Sequence, residues 1–324
     1  MGTRAIRITR EEVLTPPEFA GLESIHHPAG RVGGARIELV QSGNATRLGS
    51  CYQQIPVRVL PPFVFGSEHA SLLYVINLTA GLMDGDIHHL EIVARSGTQA
   101  VITGQSATRI HPALKSFASQ QWTIDVEDDA CLVVLPGPNI PFAGCKYYQR
   151  GRVNLAPRAK LIWGDIWLPG RYERAEISER FQFNCIVQDF EARRAGELIY
   201  RDRFRWDGPW STEEASWYFG GELACGSLFI GGPLPDSLPE PNPAAGRSVF
   251  PLGTEGTCFR WCGDPSAVTT DLVSLSMHIA AAWKSGPQSP PWLLNSSSLS
   301  PNHWFMSADD WNRGTTPVVA EELT

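Results

Sequence analysis

Hydrophobic and polar positions alternate in short runs along most of the first two hundred residues. From Ala35 a strand pattern takes over: Arg36-Ile37-Glu38-Leu39-Val40 alternates, and residues 56–60 follow before Pro61-Pro62 stops them. Further β-branched or aromatic runs occupy 90–94, 100–103, 122–126, 131–135, 152–155, 160–166, 181–186 and 197–205. Gly, Pro, Asn or Asp punctuates many of the boundaries. Successive side chains on a strand point to opposite faces, so these runs read as strands. Between Leu90 and Leu155 they recur roughly every ten residues with few helical patterns between them. That spacing favours an all-β sandwich, barrel or solenoid over a parallel βαβ sheet. No fixed-length repeat is visible, so a regular repeat protein is not supported.

Helical spacing enters late. Residues 212–217 read as a short turn capped by Thr212. Residues 266–284 read as a helix started by Asp264-Pro265, with Val268, Leu272, Leu275, His278, Ile279 and Trp283 near one face. Residues 231–256, rich in Pro and Gly, read as a long loop. The expected organisation is a polar leader over 1–33, one large β domain over 34–286 with its helix at 266–284, and an irregular tail over 287–324. The fold class is mostly β: a single solenoid- or sandwich-like scaffold with one or two helices near the C-terminus.

Composition narrows the class. The chain has 324 residues, 43% hydrophobic and 19% charged, which suits a globular protein with a substantial core. A formal net charge of -7 disfavours a nucleic-acid partner, which requires a basic face to displace phosphate counterions. The seven cysteines are scattered, and most sit in apolar strand-like runs as small hydrophobes. The N-terminus lacks the apolar stretch of a secretory signal, and no run approaches the roughly 18 apolar residues of a membrane span. A cytoplasmic location, reduced thiols and no membrane partner are the default expectation.

Familiar catalytic signatures are missing. There is no Gly-x-Ser-x-Gly elbow, no P-loop and no His-Glu-x-x-His helix. Gly30-Arg31-Val32-Gly33-Gly34 precedes a strand rather than following one, so it is a poor dinucleotide site. Cys258 and Cys262 lie four residues apart without two further soft ligands at comparable spacing. The adjacent pairs His26-His27 and His88-His89 point to opposite faces if they lie on strands, so neither pair converges on one ion. A rival reading keeps a β-rich hydrolase or carbohydrate-active enzyme open, with Asp84 and Asp86, or Asp128 and Asp129, as paired carboxylates and the eleven Trp as a sugar platform.

Five segments then point elsewhere. Tyr52-Gln53-Gln54-Ile55-Pro56-Val57-Arg58 is the first. Asn77-Leu78-Thr79-Ala80-Gly81-Leu82-Met83-Asp84-Gly85-Asp86 is a glycine-rich turn. The third is Thr103-Gly104-Gln105-Ser106-Ala107-Thr108-Arg109, the fourth Leu135-Pro136-Gly137-Pro138-Asn139-Ile140-Pro141-Phe142, and the fifth Gly164-Asp165-Ile166-Trp167-Leu168-Pro169-Gly170-Arg171. Together, in this order, they resemble the urease accessory protein UreD (UreH) family. Ala80, Gly104 and Ala175 depart from its usual residues. The resemblance implies a non-catalytic β scaffold that assists nickel insertion into urease. The implied partners are the accessory proteins UreF and UreG and the urease apoprotein. No tightly bound cofactor is implied, only transient Ni²⁺. A diverged UreD-like binding module without a urease partner is the other reading within this class.

The residues suggest where such a role lies. Thr103 and Gln105 share one strand face, and Ser106 and Thr108 the other, in a run that begins apolar. Buried polar groups require partners or water, so the run implies either an internal hydrogen-bond network or a watery passage. The resemblance implies the passage, in which oxygen donors hold a divalent cation weakly enough to release it. Asp86 and Asp165 are the candidates for transient nickel contact. Thr103, Gln105, Ser106 and Thr108 are candidates for the lining, and Arg171, Arg174 and Glu176 for a charged surface pair or a partner contact.

Overall fold

The computed structural model describes residues 7–22, 31–65, 70–172 and 179–284. The strands, in order, are β1 (Val32–Ser42), β2 (Ala45–Gln54), β3 (Val57–Val59), β4 (Phe63–Phe65), β5 (Ala70–Asn77), β6 (Ile87–Ala94), β7 (Gln99–Gly104), β8 (Thr108–Ile110), β9 (Ala118–Val126), β10 (Cys131–Leu135), β11 (Pro138–Pro141), β12 (Lys146–Leu155), β13 (Lys160–Trp167), β14 (Cys185–Arg194) and β15 (Glu197–Asp207). After these come helix α1 (Thr212–Phe219), β16 (Ala224–Gly231), β17 (Arg247–Pro251), β18 (Thr257–Gly263) and helix α2 (Pro265–Lys284).

Two mixed sheets result. The first has the order β15-β14-β12-β9-β6-β1-β2. The second runs β17-β18-β16-β13-β10-β7-β5-β3, with β4, β8 and β11 attached beside it. Strands β1, β6, β9, β12 and β14 are parallel neighbours in the first sheet, and β5, β7, β10 and β13 in the second. The chain passes from one sheet to the other and back, so each circuit adds a strand to both. This is the path of a solenoid without its sequence repeat. It yields parallel pairs with no crossover helix, because the opposite sheet supplies the crossover. Antiparallel β2, β15, β16 and β18 extend the two sheets at their ends.

The inner faces pack Ile37, Leu90, Ile92, Trp122 and Phe190 against Ala100, Ile102, Leu132 and Trp163. Trp122 meets Trp163 edge-on at 5.5 Å, and Trp163 stacks on Phe190 at 5.2 Å. Helix α2 covers the outside of the second sheet, setting Val268, Leu272, Leu275 and Ile279 among Leu135, Ile162, Ile166 and Leu228.

Several local expectations are corrected. Ser211, not Thr212, caps α1: its side chain accepts from Glu214 N, and the Glu214 carboxylate accepts from Ser211 N. The run 181–186 enters its strand only at Cys185, while Phe181 and Phe183 fill an aromatic cluster with Trp210 and Phe219. Strands β2, β5 and β16 lie where no strand is predicted, and β17 lies inside the expected long loop. Residues 7–22 of the leader are docked. Ile8 and Phe19 are buried, and Gln121 holds both the N–H and the carbonyl of Leu14. The tail over 287–324 lies outside the described residues.

Candidate functional site

One register row interrupts the apolar interior. Gly33, His88, Gln120, Gln149, Gln188 and Phe204 are successive partners across β1, β6, β9, β12, β14 and β15. Leu90, Trp122 and Phe190 lie two residues further along three of these strands and belong to the core between the sheets. The strand period therefore turns His88, Gln120, Gln149 and Gln188 inward as well. On the other side of this row a second apolar cluster holds Ala118, Tyr147, Trp167, Ile186 and Phe219. A polar layer thus lies between two hydrophobic ones.

The facing sheet answers it with Asp165, placed on β13 between the inward Trp163 and Trp167. Gln149 Nε2 donates to Asp165 Oδ1 at 2.5 Å, and Trp163 Nε1 donates to Oδ2 at 2.5 Å. Asn139 Nδ2 donates to Gln149 Oε1 at 3.3 Å, and Trp167 Nε1 to Gln188 Oε1 at 2.9 Å. Burial pushes the Asp165 carboxyl up to about 6, although the Trp163 and Gln149 hydrogen bonds oppose the rise. In register beyond it come Ser227 and Arg260, and Arg260 pairs with Asp202 at 2.8 Å.

At the β6 end of the row the layer opens into a cavity of about 70 Å³, walled by Asn77, Thr79, Gly81, His88, Gln105, Ser106, Thr108, Gln120 and Trp122 among others. Two glycines shape it. A Cβ on Gly104 would sit 2.2 Å from Pro136 O, so β7 ends there and the chain leaves the sheet before β8 resumes. Gly81 has φ 151°, and its missing side chain admits Arg109 O, which accepts from Leu82 N at 2.8 Å. His88 is buried, its Nε2 has no hydrogen-bond partner, and burial pushes its ring down to about 4, so the imidazole is neutral. Trp122 Nε1 is likewise unpartnered. A wider groove at the surface, bordered by Arg31, Met83, Asp84, Asp86 and Lys115, shares Thr79 and Ala80 with the cavity.

The predicted site residues separate into three groups. Gln105, Ser106 and Thr108 line one cavity, because residues 105–107 have left the strand and alternation no longer divides them. Thr103 does not join them. It pairs with Tyr74 and Leu135 and turns to the α2 side of the second sheet, so it shares no face with Gln105. Asp86 borders the outer groove, but its two oxygens accept Arg31 N and Met83 N, a turn-locking role. Burial raises its pKa against those two bonds. Arg171 is used internally: it pairs with Glu179 and lies 4.3 Å over the Phe142 ring. Glu176, like Arg174, lies outside the described residues. Sequence reading missed Gln120, Gln149 and Gln188, and met His88 only as half of an adjacent pair. Their signal was a polar residue at an inward strand position, legible only once register is known.

The rival chemistry finds no constellation among the described residues. Asp84 accepts three backbone N–H groups, from Leu114, Lys115 and Ser116. Asp128 accepts Arg158 N, and Asp129 pairs with the Arg158 guanidinium. Each of these carboxylates, Asp86 included, is thus taken up by backbone N–H groups or by Arg158. Cys262 lies 3.8 Å from Cys225 on the neighbouring strand rather than beside Cys258. Glu12, His89 and Glu91 approach one another outside the first sheet, where Arg36 already pairs with both carboxylates.

Two facing mixed sheets enclosing a hydrogen-bonded polar layer define a β scaffold. The profile of the UreD urease accessory protein family matches residues 31–293. The chain belongs to that family, whose members are accessory proteins and not enzymes. It is 29% identical over 178 residues to urease accessory protein UreD 2 of Streptomyces griseus, covering 54% of this chain and 60% of that one. It is 27% identical over 194 residues to UreD of Lysinibacillus sphaericus, covering 60% and 71%. It is 28% identical over 211 residues to UreD 2 of Synechococcus sp., covering 63% and 76%. The match thus spans about three-fifths to three-quarters of these relatives. No helix among the described residues is long and apolar enough to cross a membrane.

Proposed function

We propose that this protein is a urease accessory scaffold that assists nickel insertion into apo-urease. It bridges the UreF and UreG accessory proteins to the urease apoprotein and offers Ni²⁺ an internal, oxygen-rich passage. Nickel is cargo here, not a resident cofactor. The chain performs no bond chemistry, and its cytoplasmic location follows from that of its proposed partners.

The observation that carries this reading is the polar layer. A row of His88, Gln120, Gln149 and Gln188 opposite Asp165 is a costly way to fill a β interior, since polar groups stabilise a core only when each is partnered. A layer of neutral amides with one carboxylate suits the transit of a hydrated divalent ion. The amide oxygens replace water weakly, and the carboxylate attracts without forming a cage. The cavity beside Gln105, Ser106 and Thr108 gives the layer its entrance.

Co-expression with urease subunits and the accessory proteins tests the reading. The wild-type chain is expected to co-purify with them and to raise nickel-dependent urease activity. A Gln149→Leu, Asp165→Leu double variant is expected to co-purify but not to activate. Full activation by that folded variant would remove the layer from the route.

A further inference from the structure

We infer that His88 is a nitrogen ligand through which the inter-sheet cavity retains a late first-row divalent cation such as Ni²⁺ in preference to Mg²⁺ or Ca²⁺. For its biological cargo this rests on the passage proposed above; the binding itself does not.

The cavity's other ligating side chains are oxygen donors: Asn77, Thr79, Gln105, Ser106, Thr108 and Gln120. Oxygen donors alone hold Mg²⁺ and Ca²⁺ as readily as nickel, whereas imidazole favours Ni²⁺, Zn²⁺ and Cu²⁺. His88 is the single soft donor among the described residues of the wall. The Trp122 indole donates a proton and offers no lone pair.

Three observations converge on His88. It is 2% exposed, yet its Nε2 has no hydrogen-bond partner. Buried ring nitrogens are normally paired, and an orphan in a close-packed interior calls for a ligand or water. Its strand turns it into the inter-sheet space, with the Gln120 amide directly beside it across the β6–β9 pair. The space also has the right size: 70 Å³ takes an ion with one or two waters, at about 30 Å³ per water. Leu90, two residues along the same face, shows that an apolar side chain fits this strand, so packing alone does not require an imidazole at 88.

The wall also limits the affinity. Its one charged residue among those described is Arg109, which is exposed. With no carboxylate in the wall and a cation at its outer edge, the site discriminates between ions without binding tightly. That is the behaviour a transfer protein requires.

The test uses purified, untagged full-length chain and Ni²⁺ itself. Equilibrium dialysis in excess Mg²⁺ compares wild type with His88→Leu and His88→Gln, and X-ray absorption reads imidazole scattering from the bound nickel. Both variants are expected to lose about tenfold or more in Ni²⁺ affinity, with the imidazole signal reduced and Mg²⁺ binding unchanged. His88→Leu is expected to melt no lower than wild type, because it removes an orphaned polar atom. If His88→Leu fails to fold, His88→Gln decides. Folded variants that keep wild-type Ni²⁺ affinity and imidazole scattering overturn the inference. Urease co-expression separates the two readings. Lost Ni²⁺ binding with full urease activation supports the site and sinks the passage, whereas unchanged binding with lost activation does the reverse.

Discussion

Replacing Asp165 by Asn isolates the energetic consequence of a carboxylate in the polar layer. Asp165 is fully buried and accepts two hydrogen bonds, from Gln149 and Trp163; an Asn keeps two only if its oxygen accepts from Trp163 while Gln149 turns its amide to accept from the new N–H. Its carboxyl rises from 3.8 to about 6 on folding. At about 1.4 kcal/mol per pH unit, ionising it in place costs about 3 kcal/mol. The folded state holds this proton more tightly than the unfolded chain does. Stability from this group is therefore greatest below pH 3.8, falls as pH rises towards 6, and stays low above it. Asn has no such dependence and loses about 1 kcal/mol through less ideal pairing. The variant is thus expected to be about 2 kcal/mol more stable than wild type at pH 8 and slightly less stable near pH 4. Urea melts at both pH values read the difference, and urease activation by the same variant is expected to fall. A variant less stable by the same amount at both pH values would refute the reasoning, because Asp165 would then be an ordinary structural acceptor.

Three further outcomes follow from the same geometry. Gln120→Leu removes a half-buried amide whose protein contact is a long 3.5 Å approach to Tyr147 Oη; it is expected to hold stability within about 1 kcal/mol while lowering urease activation, read by thermal melts and the co-expression assay. Gly104→Ala drives a Cβ to 2.2 Å from Pro136 O, a backbone atom, and is expected to cost about 1–3 kcal/mol in urea melts. Ser211→Ala breaks the reciprocal cap of α1 and is expected to cost about 1 kcal/mol, with faster proteolysis around Trp217 and Tyr218.

The fold class was legible because short β-branched and aromatic runs bounded by turn residues identify strands without knowledge of neighbours. The runs at 131–135 and 160–166 became β10 and most of β13. The parallel pairing was not legible, since a run carries no record of the sheet that receives it. Strand β2 escaped because Arg47, Gly49, Ser50 and Gln53 interrupt its apolar pattern at the edge of a sheet. Gln105, Ser106 and Thr108 were found as polar residues after an apolar strand, but Thr103 was misassigned because alternation was carried past Gly104, where the strand ends. The glutamines were unreadable for another reason. Gln120, Gln149 and Gln188 sit in three different runs, and only the register makes them one row.

That row bears on what shapes the interior. Leu90, Ile92 and Ile124 show that β6 and β9 accept aliphatic residues on the inner face, and Val153 and Ile186 show the same for β12 and β14. Stability gives no reason for the apolar pattern to break at one level on four adjacent strands, since a buried amide with a good partner is worth about as much as an apolar group of its shape. The facing residue makes the choice stranger still, because Asp165 is held ionised only at a cost. Chance would scatter such exceptions along the strands. Here they align, they meet a carboxylate, and they run to a cavity whose walls are polar. An alignment that packing does not require, and that ionisation at Asp165 penalises, calls for a constraint outside stability, and the proposed cation passage supplies one.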